Sequence, residues 1–315
     1  MKSKRNLIAI CSSLTILSSQ LLFSSCDPEL EVVQTVNEEF TGINQVEIES
    51  GFLDVIYLGD ANANSVQVDA VLESNRSGKY RIDVREESGK LIIELDQRNV
   101  FGGGRDRGRI YINGPIEQEI EVDAGSGRVQ VSNVVGEEFD ASVGSGMLDI
   151  QNVTATKIDL NAGSGKIKAL NLEGYTEVEV GSGNVEITEL LGDLEVQGSS
   201  GRINLNRIQG LVNSKLNSGN IEMWDVEFLG MLEVSSGNIE ASNSGLSEFS
   251  RFKASSGNIR IQTKSDLTGF NFDLDAGSGK VRVGDSSSNG ALKINNGSPY
   301  TVSGTVSSGN IEIRN

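Results

Sequence analysis

The chain contains no histidine. That removes the imidazole base of Ser-His triads, the commonest zinc ligand and the side chain most often used as a general base near neutrality. Chemistry would have to come from carboxylates and cations. Carboxylates do recur at equivalent positions, at Asp149, Glu186, Glu222 and Glu240, with Lys168, Asn204 and Arg260 among them. Paired carboxylates can act as acid and base on a glycosidic bond, but a solvated strand face carries the same residues. With no long loops to build a cleft over that face, no catalysis is expected. No metal site or other cofactor is expected either. Calcium repeats of the nonapeptide type need Gly-Gly-x-Gly-x-Asp, and no such run occurs.

Binding chemistry is better represented. Phe101-Gly102-Gly103-Gly104-Arg105-Asp106-Arg107-Gly108-Arg109 combines glycines with Arg105, Arg107 and Arg109. It lacks the strand-loop-helix context and the lysine of a phosphate-binding loop. It reads as a hairpin tip whose local positive charge suits an anionic glycan. Trp224, the single tryptophan, directly follows the inward-facing Met223, so alternation places it outside or at a corner, where it could stack on a sugar. Four of the ten phenylalanines, Phe249, Phe252, Phe270 and Phe272, gather in one stretch. They read as a widened core or terminal cap, with an aromatic sugar-stacking platform as the sharper alternative.

These residues are positioned by a repeat. Ser-Gly-x-aliphatic-x-aliphatic recurs ten times, with glycines at 127, 146, 165, 183, 201, 219, 237, 257, 279 and 309. A period of this kind signals stacked coils. Two and four residues after each glycine lie aliphatic pairs such as Val129/Val131, Leu148/Ile150, Ile203/Leu205 and Ile311/Ile313, with a polar residue between. That alternation predicts a strand with one buried face. A second alternating segment follows in most repeats: Ile158-Asp159-Leu160, Val178-Glu179-Val180, Leu194-Glu195-Val196 and Leu232-Glu233-Val234. The chain therefore reads as all-β, a parallel β-solenoid of about ten coils of 18–22 residues. The glycines should turn a corner with positive φ, and Asn184, Asn220, Asn238, Asn258 and Asn310 should stack as a ladder.

Four segments are expected: a leader over 1–25, a tether over 26–35, an N-terminal β region over 36–124 and the solenoid over 125–315. Strand candidates in the third run over 45–48, 53–58, 65–72, 80–85, 90–95, 109–112 and 119–123, spaced more like antiparallel hairpins than coils. They would cap the open edge of the first coil and lead into the solenoid through one or two early, irregular coils. The 30-residue gap between Gly279 and Gly309 is expected to hold a surface loop over Gly284 to Gly290, leading into the last coil.

Lys2, Lys4 and Arg5 precede a short apolar stretch from Leu7 to Leu22 that ends at Ser24-Ser25-Cys26, the pattern of a secretory signal. Leu22-Phe23-Ser24-Ser25-Cys26 resembles a bacterial lipobox, which implies cleavage before Cys26, its acylation and attachment to a lipid bilayer. The only other cysteine, Cys11, lies within the leader, so no intramolecular disulfide is possible in the mature chain. Loss of the leader takes the charge from −17 to −20, with 24 basic against 44 acidic residues. Nucleic acid is thereby excluded as a partner. The acidic run Asp27 to Glu31 resembles the signals that send lipoproteins of Bacteroidota to the cell surface.

Phe40-Thr41-Gly42-Ile43-Asn44-Gln45-Val46, then Gly51-Phe52-Leu53-Asp54-Val55, resemble the opening of the "putative adhesin" head GIN domain family. The later Gly-Ser-Gly-x-Ile coils are similar to that family and to related β-strand-repeat adhesins. The resemblance spans Phe40 to Asn315 and implies a right-handed parallel β-helix on a secreted or lipid-anchored protein; taken with the lipobox, an outer-membrane lipoprotein is expected. It supplies no catalytic residues. The expectation is a non-catalytic module that binds a glycan or protein at the cell surface or facing the periplasm. A polysaccharide-active β-helix enzyme and a periplasmic scaffold are the alternatives.

Overall fold

The computed structural model describes residues 29–76, 78–98 and 104–315. The expected leader, Cys26 and Phe101 to Gly103 lie outside these residues. The described chain is all-β apart from one 3-10 turn at Leu267–Gly269. Seven strands, β1 (Glu31–Thr41), β2 (Gln45–Gly51), β3 (Asp54–Asp60), β4 (Ser65–Ser74), β5 (Tyr80–Glu87), β6 (Lys90–Gln97) and β7 (Asp106–Pro115), lead into two long extended runs. These are β8 (Glu119–Leu191) and β9 (Leu194–Ser244). The C-terminal part adds β10 (Leu246–Ser256), β11 (Ile259–Thr263), β12 (Asn271–Val283), β13 (Ser286–Ile294), β14 (Thr301–Ser308) and β15 (Ile311–Arg314).

A straight strand of the 73 residues of β8 would reach about 240 Å. The run coils instead, so that residues one repeat apart touch. Asn152 Nδ2 donates to Asn133 Oδ1 and Asn171 Nδ2 to Asn152 Oδ1, each at 2.9 Å. Parallel pairing continues into the next run, where Thr176 faces Leu194 and Leu190 faces Ile208. The alternation expected from the sequence sets which side chains are inside. Val129, Leu148, Ile167, Val185, Ile203, Ile221, Ile239, Ile259, Ile311 and Val281 are all completely buried. Burial of each contributes about 1.5–3 kcal/mol, so the core is a set of aliphatic columns.

The repeat glycines differ in part from expectation. Positive φ occurs at Gly127, Gly201, Gly219, Gly237, Gly257 and Gly309, but not at Gly146, Gly165, Gly183 or Gly279. What they share from Gly146 onward is crowding, since a Cβ there would stand 1.6–2.2 Å from the neighbouring turn's glycine carbonyl oxygen. The left-handed corner lies six residues further on, at Asn133, Asn152, Asn171, Glu189, Arg207, Asp225 and Asn243, with φ between 51° and 61°. Asparagine and aspartate adopt that conformation most readily among residues with a Cβ. The expected amide ladder forms from Asn220 onward. The backbone N–H of Asn238, Asn258 and Asn310 donates to the Oδ1 of Asn220, Asn238 and Asn258 respectively, at 3.0–3.1 Å.

Both ends depart from simple stacking. The N-terminal region mixes antiparallel pairs with an early parallel turn. β1 pairs β4, β4 pairs β7 and β5 pairs β6, all antiparallel, while β2 and β3 stack parallel on both sides. One neighbour of that first turn is the start of β8, and the other is β6 with β7. β1 begins at Glu31, inside the segment expected to be a tether, because it supplies the antiparallel partner that covers β4. At the C-terminal end the expected surface loop is instead β13, antiparallel to β12. The last turn, β14 and β15, lies between β10/β11 and β12. The 30-residue spacing thus contains a capping strand and a change in stacking order.

Candidate functional site

The repeat lengthens after Gly237, and the additional residues emerge at one corner. In β10 Leu246 pairs Leu229 and Arg251 pairs Met231, so Ser247 to Ser250 bulge from the ladder. Two serines fasten the bulge from inside. Ser250 Oγ accepts from Ser247 N (2.9 Å) and donates to Leu229 O (2.7 Å). Ser247 Oγ accepts from Phe249 N (3.2 Å) and donates to the same Leu229 oxygen (2.8 Å). Phe249 is left outside, 57% exposed. A second excursion contains the 3-10 turn, capped by Asp266 Oδ1 accepting from Thr268 N at 2.9 Å, and ends at Phe270. A third delivers Tyr300, whose carbonyl accepts from Asn271 N at 2.9 Å.

Phe228, Phe249, Phe270 and Tyr300 meet there with Leu211 and Leu246 around a cleft of about 430 Å³. The Phe270 and Tyr300 ring centroids are 6.4 Å apart at 41°. Asp193, Ser247 and Glu248 also line the cleft. Phe228 and Tyr300 are each 44% exposed, so aromatic surface is open to solvent. The four clustered phenylalanines divide: Phe252 and Phe272 are core, while Phe249 and Phe270 line the cleft. Phe228 and Tyr300 were missed from sequence because their turns place them beside residues distant along the chain.

A second feature is an acidic face near the other end. Glu121, Asp140, Asp159, Glu177 and Glu195 each precede a repeat glycine by six residues, and Glu47 pairs Glu121 at the lower end. Lys157 bridges Asp159 and Glu177 at 2.9 Å each. Glu177 is held below the usual carboxylate range, chiefly by its hydrogen bond from Lys157. Asp140 is pushed up to about 6, first by burial and then by the charge and hydrogen bond of Asp159, with Glu121 and Glu138 adding. Its native pKa lies above its ordinary 3.8, so the native state binds the extra proton in that interval. Stability contributed by that proton is present at low pH and is lost as pH rises from about 4 to about 6. Asp140→Asn should therefore stabilise the protein at pH 7–8, by about 1–2 kcal/mol after solvent screening. Urea denaturation at pH 5 and pH 8 checks this: the gain should be full at pH 8 and roughly half as large at pH 5, midway through the interval.

The residues singled out from sequence are not brought together. Arg107 and Arg109 lie in β7 rather than at a hairpin tip, and Arg107 pairs with Glu73 at 2.6 Å. Arg105 N donates to Asn75 Oδ1 at 3.1 Å. Trp224 is 49% exposed in β9, several turns from the arginines. It is not among the residues lining the aromatic cleft. Cys26 lies outside the described residues. Among those residues, no group of three or more acidic or cysteine side chains could hold a metal, and no helix is long and apolar enough to cross a membrane.

The Toastrack DUF4097 model matches residues 41–224 and again 191–314. The chain belongs to the Toastrack DUF4097 family. The match covers both the regular turns and the lengthened ones that build the cleft of this Toastrack chain. Among solved structures it is similar to a "putative lipid binding protein" from Parabacteroides distasonis, at 14% identity and a TM-score of 0.46, covering 90% of this chain and 96% of that one. A "putative adhesin" from Bacteroides fragilis aligns at 13% identity and a TM-score of 0.36, covering 89% and 97%. A "putative cell adhesion protein" from Clostridium sporogenes aligns at 12% identity and 0.27, covering 89% and 99%. No curated protein matches the chain.

Proposed function

We propose that this Toastrack protein is a non-catalytic recognition module, a right-handed β-solenoid held at the cell envelope by an acylated Cys26, and that it binds a glycan in the aromatic cleft. One observation carries the reading. Four aromatic side chains from different turns converge on one open cleft, on a chain whose overall charge is −17. Contiguous exposed apolar surface marks interaction sites, whereas scattered single side chains do not. The volume is in the range of small-ligand sites. Aromatic rings offer flat apolar faces to the C–H faces of a sugar, and Asp193, Ser247 and Glu248 can accept or exchange its hydroxyl hydrogen bonds. The net charge repels polyanions, which favours a neutral oligosaccharide. Arg105, Arg107 and Arg109 stand as a separate candidate contact for an anionic glycan.

Calorimetric titration with neutral oligosaccharides tests this. Phe249→Ala and Tyr300→Ala should each weaken binding about tenfold or more, consistent with about 1.5–3 kcal/mol for a stacked ring. Both residues are exposed, so unfolding midpoints should barely move. Unchanged affinity in both variants would sink the cleft as the site. Release of new reducing ends, abolished by Asp193→Asn or Glu248→Gln, would favour the polysaccharide-active alternative.

A further inference from the structure

The last turn is out of sequence order, and three columns of side chains specify that placement. In the charge column Glu240, Arg260, Glu312 and Arg282 alternate in sign, because β15 lies between β11 and β12. Arg260 contacts Glu240 at 2.5 Å and Arg282 contacts Glu312 at 3.8 Å. In the amide column Asn258 Oδ1 accepts from Asn310 N (3.1 Å), and Asn310 Oδ1 accepts from Lys280 N (2.9 Å). In the core column Gly304 faces Phe252 on one side and Leu274 on the other. The small residue fits between two large ones, with Leu274 Cδ2 already 2.9 Å from where a Cβ would lie.

Stacked in sequence order, the turn 271–283 would lie directly on 251–263. Arg282 would then face Arg260 and Leu274 would face Phe252. Like charges opposite one another destabilise a ladder, yet the backbone pattern of 271–283 is compatible with that position. Its Ala276, Ser278, Gly279, Val281 and Val283 correspond to Val306, Ser308, Gly309, Ile311 and Ile313 of the inserted turn. While 301–315 is absent, as during synthesis, sequence order is the only stacking available.

We propose that this end of the protein is bistable: 271–283 and 301–314 compete for the edge of β10 and β11, and the inserted arrangement alone completes the aromatic cleft. The connection from Asn295 to Tyr300 carries both the hinge and one wall of the site. In the inserted state it is clasped to the excursion before β12. Asn296 Nδ2 donates to Phe270 O (2.8 Å), Ser298 Oγ to Gly269 O (2.6 Å) and Asn271 Nδ2 to Ser298 O (2.7 Å). Asn315 Nδ2 closes the far end on Thr263 O and Ser265 O, at 3.1 and 2.8 Å. In the sequence-order state 301–315 is released and Tyr300 leaves the cleft. A ligand that touches Tyr300 therefore favours insertion. That linkage rests on the cleft being the binding site; the competition between turns does not.

Cysteine pairs in the full-length chain read the two states separately. Ser308 is the direct partner of Ser256 on one side and of Ser278 on the other. Ser256→Cys with Ser308→Cys should cross-link in the inserted state. Ser256 and Ser278 are two strand spacings apart, about 10 Å, beyond disulfide reach. They can bridge only in sequence-order stacking. Under thiol exchange a monomeric cross-link between them should form slowly in the otherwise native chain, and about tenfold more in a Glu312→Arg background. Hydrogen exchange reads the same competition without cysteines, with amides of 301–314 opening more readily than those of 271–283. Absence of the 256–278 cross-link in both backgrounds, with equal exchange in the two segments, would overturn the proposal. If the cross-link forms but a neutral oligosaccharide fails to suppress it, the competition stands and the linkage to the cleft falls.

Discussion

Gly237→Ala is expected to prevent the central turns from closing, a loss of more than about 4 kcal/mol. The methyl group would sit 1.6 Å from Gly219 O and 2.7 Å from Gly219 C, both backbone atoms of the turn below. Neither can retreat without breaking its own ladder, and φ at Gly237 is +140°, where L residues rarely sit. The strain is transmitted, because Gly257 repeats the contact on Gly237 O at 1.6 Å. Gly290→Ala is the control. It too has positive φ, +79°, but a Cβ there meets nothing within 4 Å. Its cost should be that of the backbone conformation alone, about 1–2 kcal/mol. Urea midpoints of the two variants separate crowding from conformation: similar losses would show that the close approach between turns is not what requires the glycine.

That contrast bears on what was legible in the sequence. The period and the alternation of aliphatic residues identify the buried columns, because the side-chain period of a strand is two and burial is the strongest constraint on it. Val129 to Val281 follow it without exception. The left-handed corner was equally regular from Gly127 to Gly237, at six residues past each glycine, yet Glu189 and Arg207 occupy it beside the asparagines and obscure it. The stacking order of the last turns was not legible from period alone, because each turn carries the same backbone pattern. What distinguishes them is the register of particular side chains: Glu312 between Arg260 and Arg282, and Gly304 between Phe252 and Leu274. The aromatic cleft was half visible. The cluster of phenylalanines and the lengthened spacing coincide, as expected where insertions map to one face of a repeat. Which rings would face outward depended on Ser247 and Ser250 fastening a bulge, and hydrogen bonds of that kind leave no periodic trace.

Phe252→Ala should destabilise the protein by about 3–5 kcal/mol, as expected for truncation of a fully buried aromatic ring. The loss should appear as a separate early transition rather than a uniform shift. Phe252 lies between Leu232 and Gly304 in its column. Gly304 has no side chain with which to fill the space, so relaxation from that side is minimal. In a stack where each turn touches only its neighbours, stability is a sum of turn and interface contributions. A weakened interface at β10 therefore releases the C-terminal turns while those of β8 persist. Phe249→Ala, three residues earlier, removes the same ring from the solvent side and should leave both transitions in place. Hydrogen exchange resolves the outcome by segment. Early opening of 251–314 with 119–191 still protected fits the quasi-one-dimensional account, whereas simultaneous opening of both would mean that the turns cooperate along the whole stack.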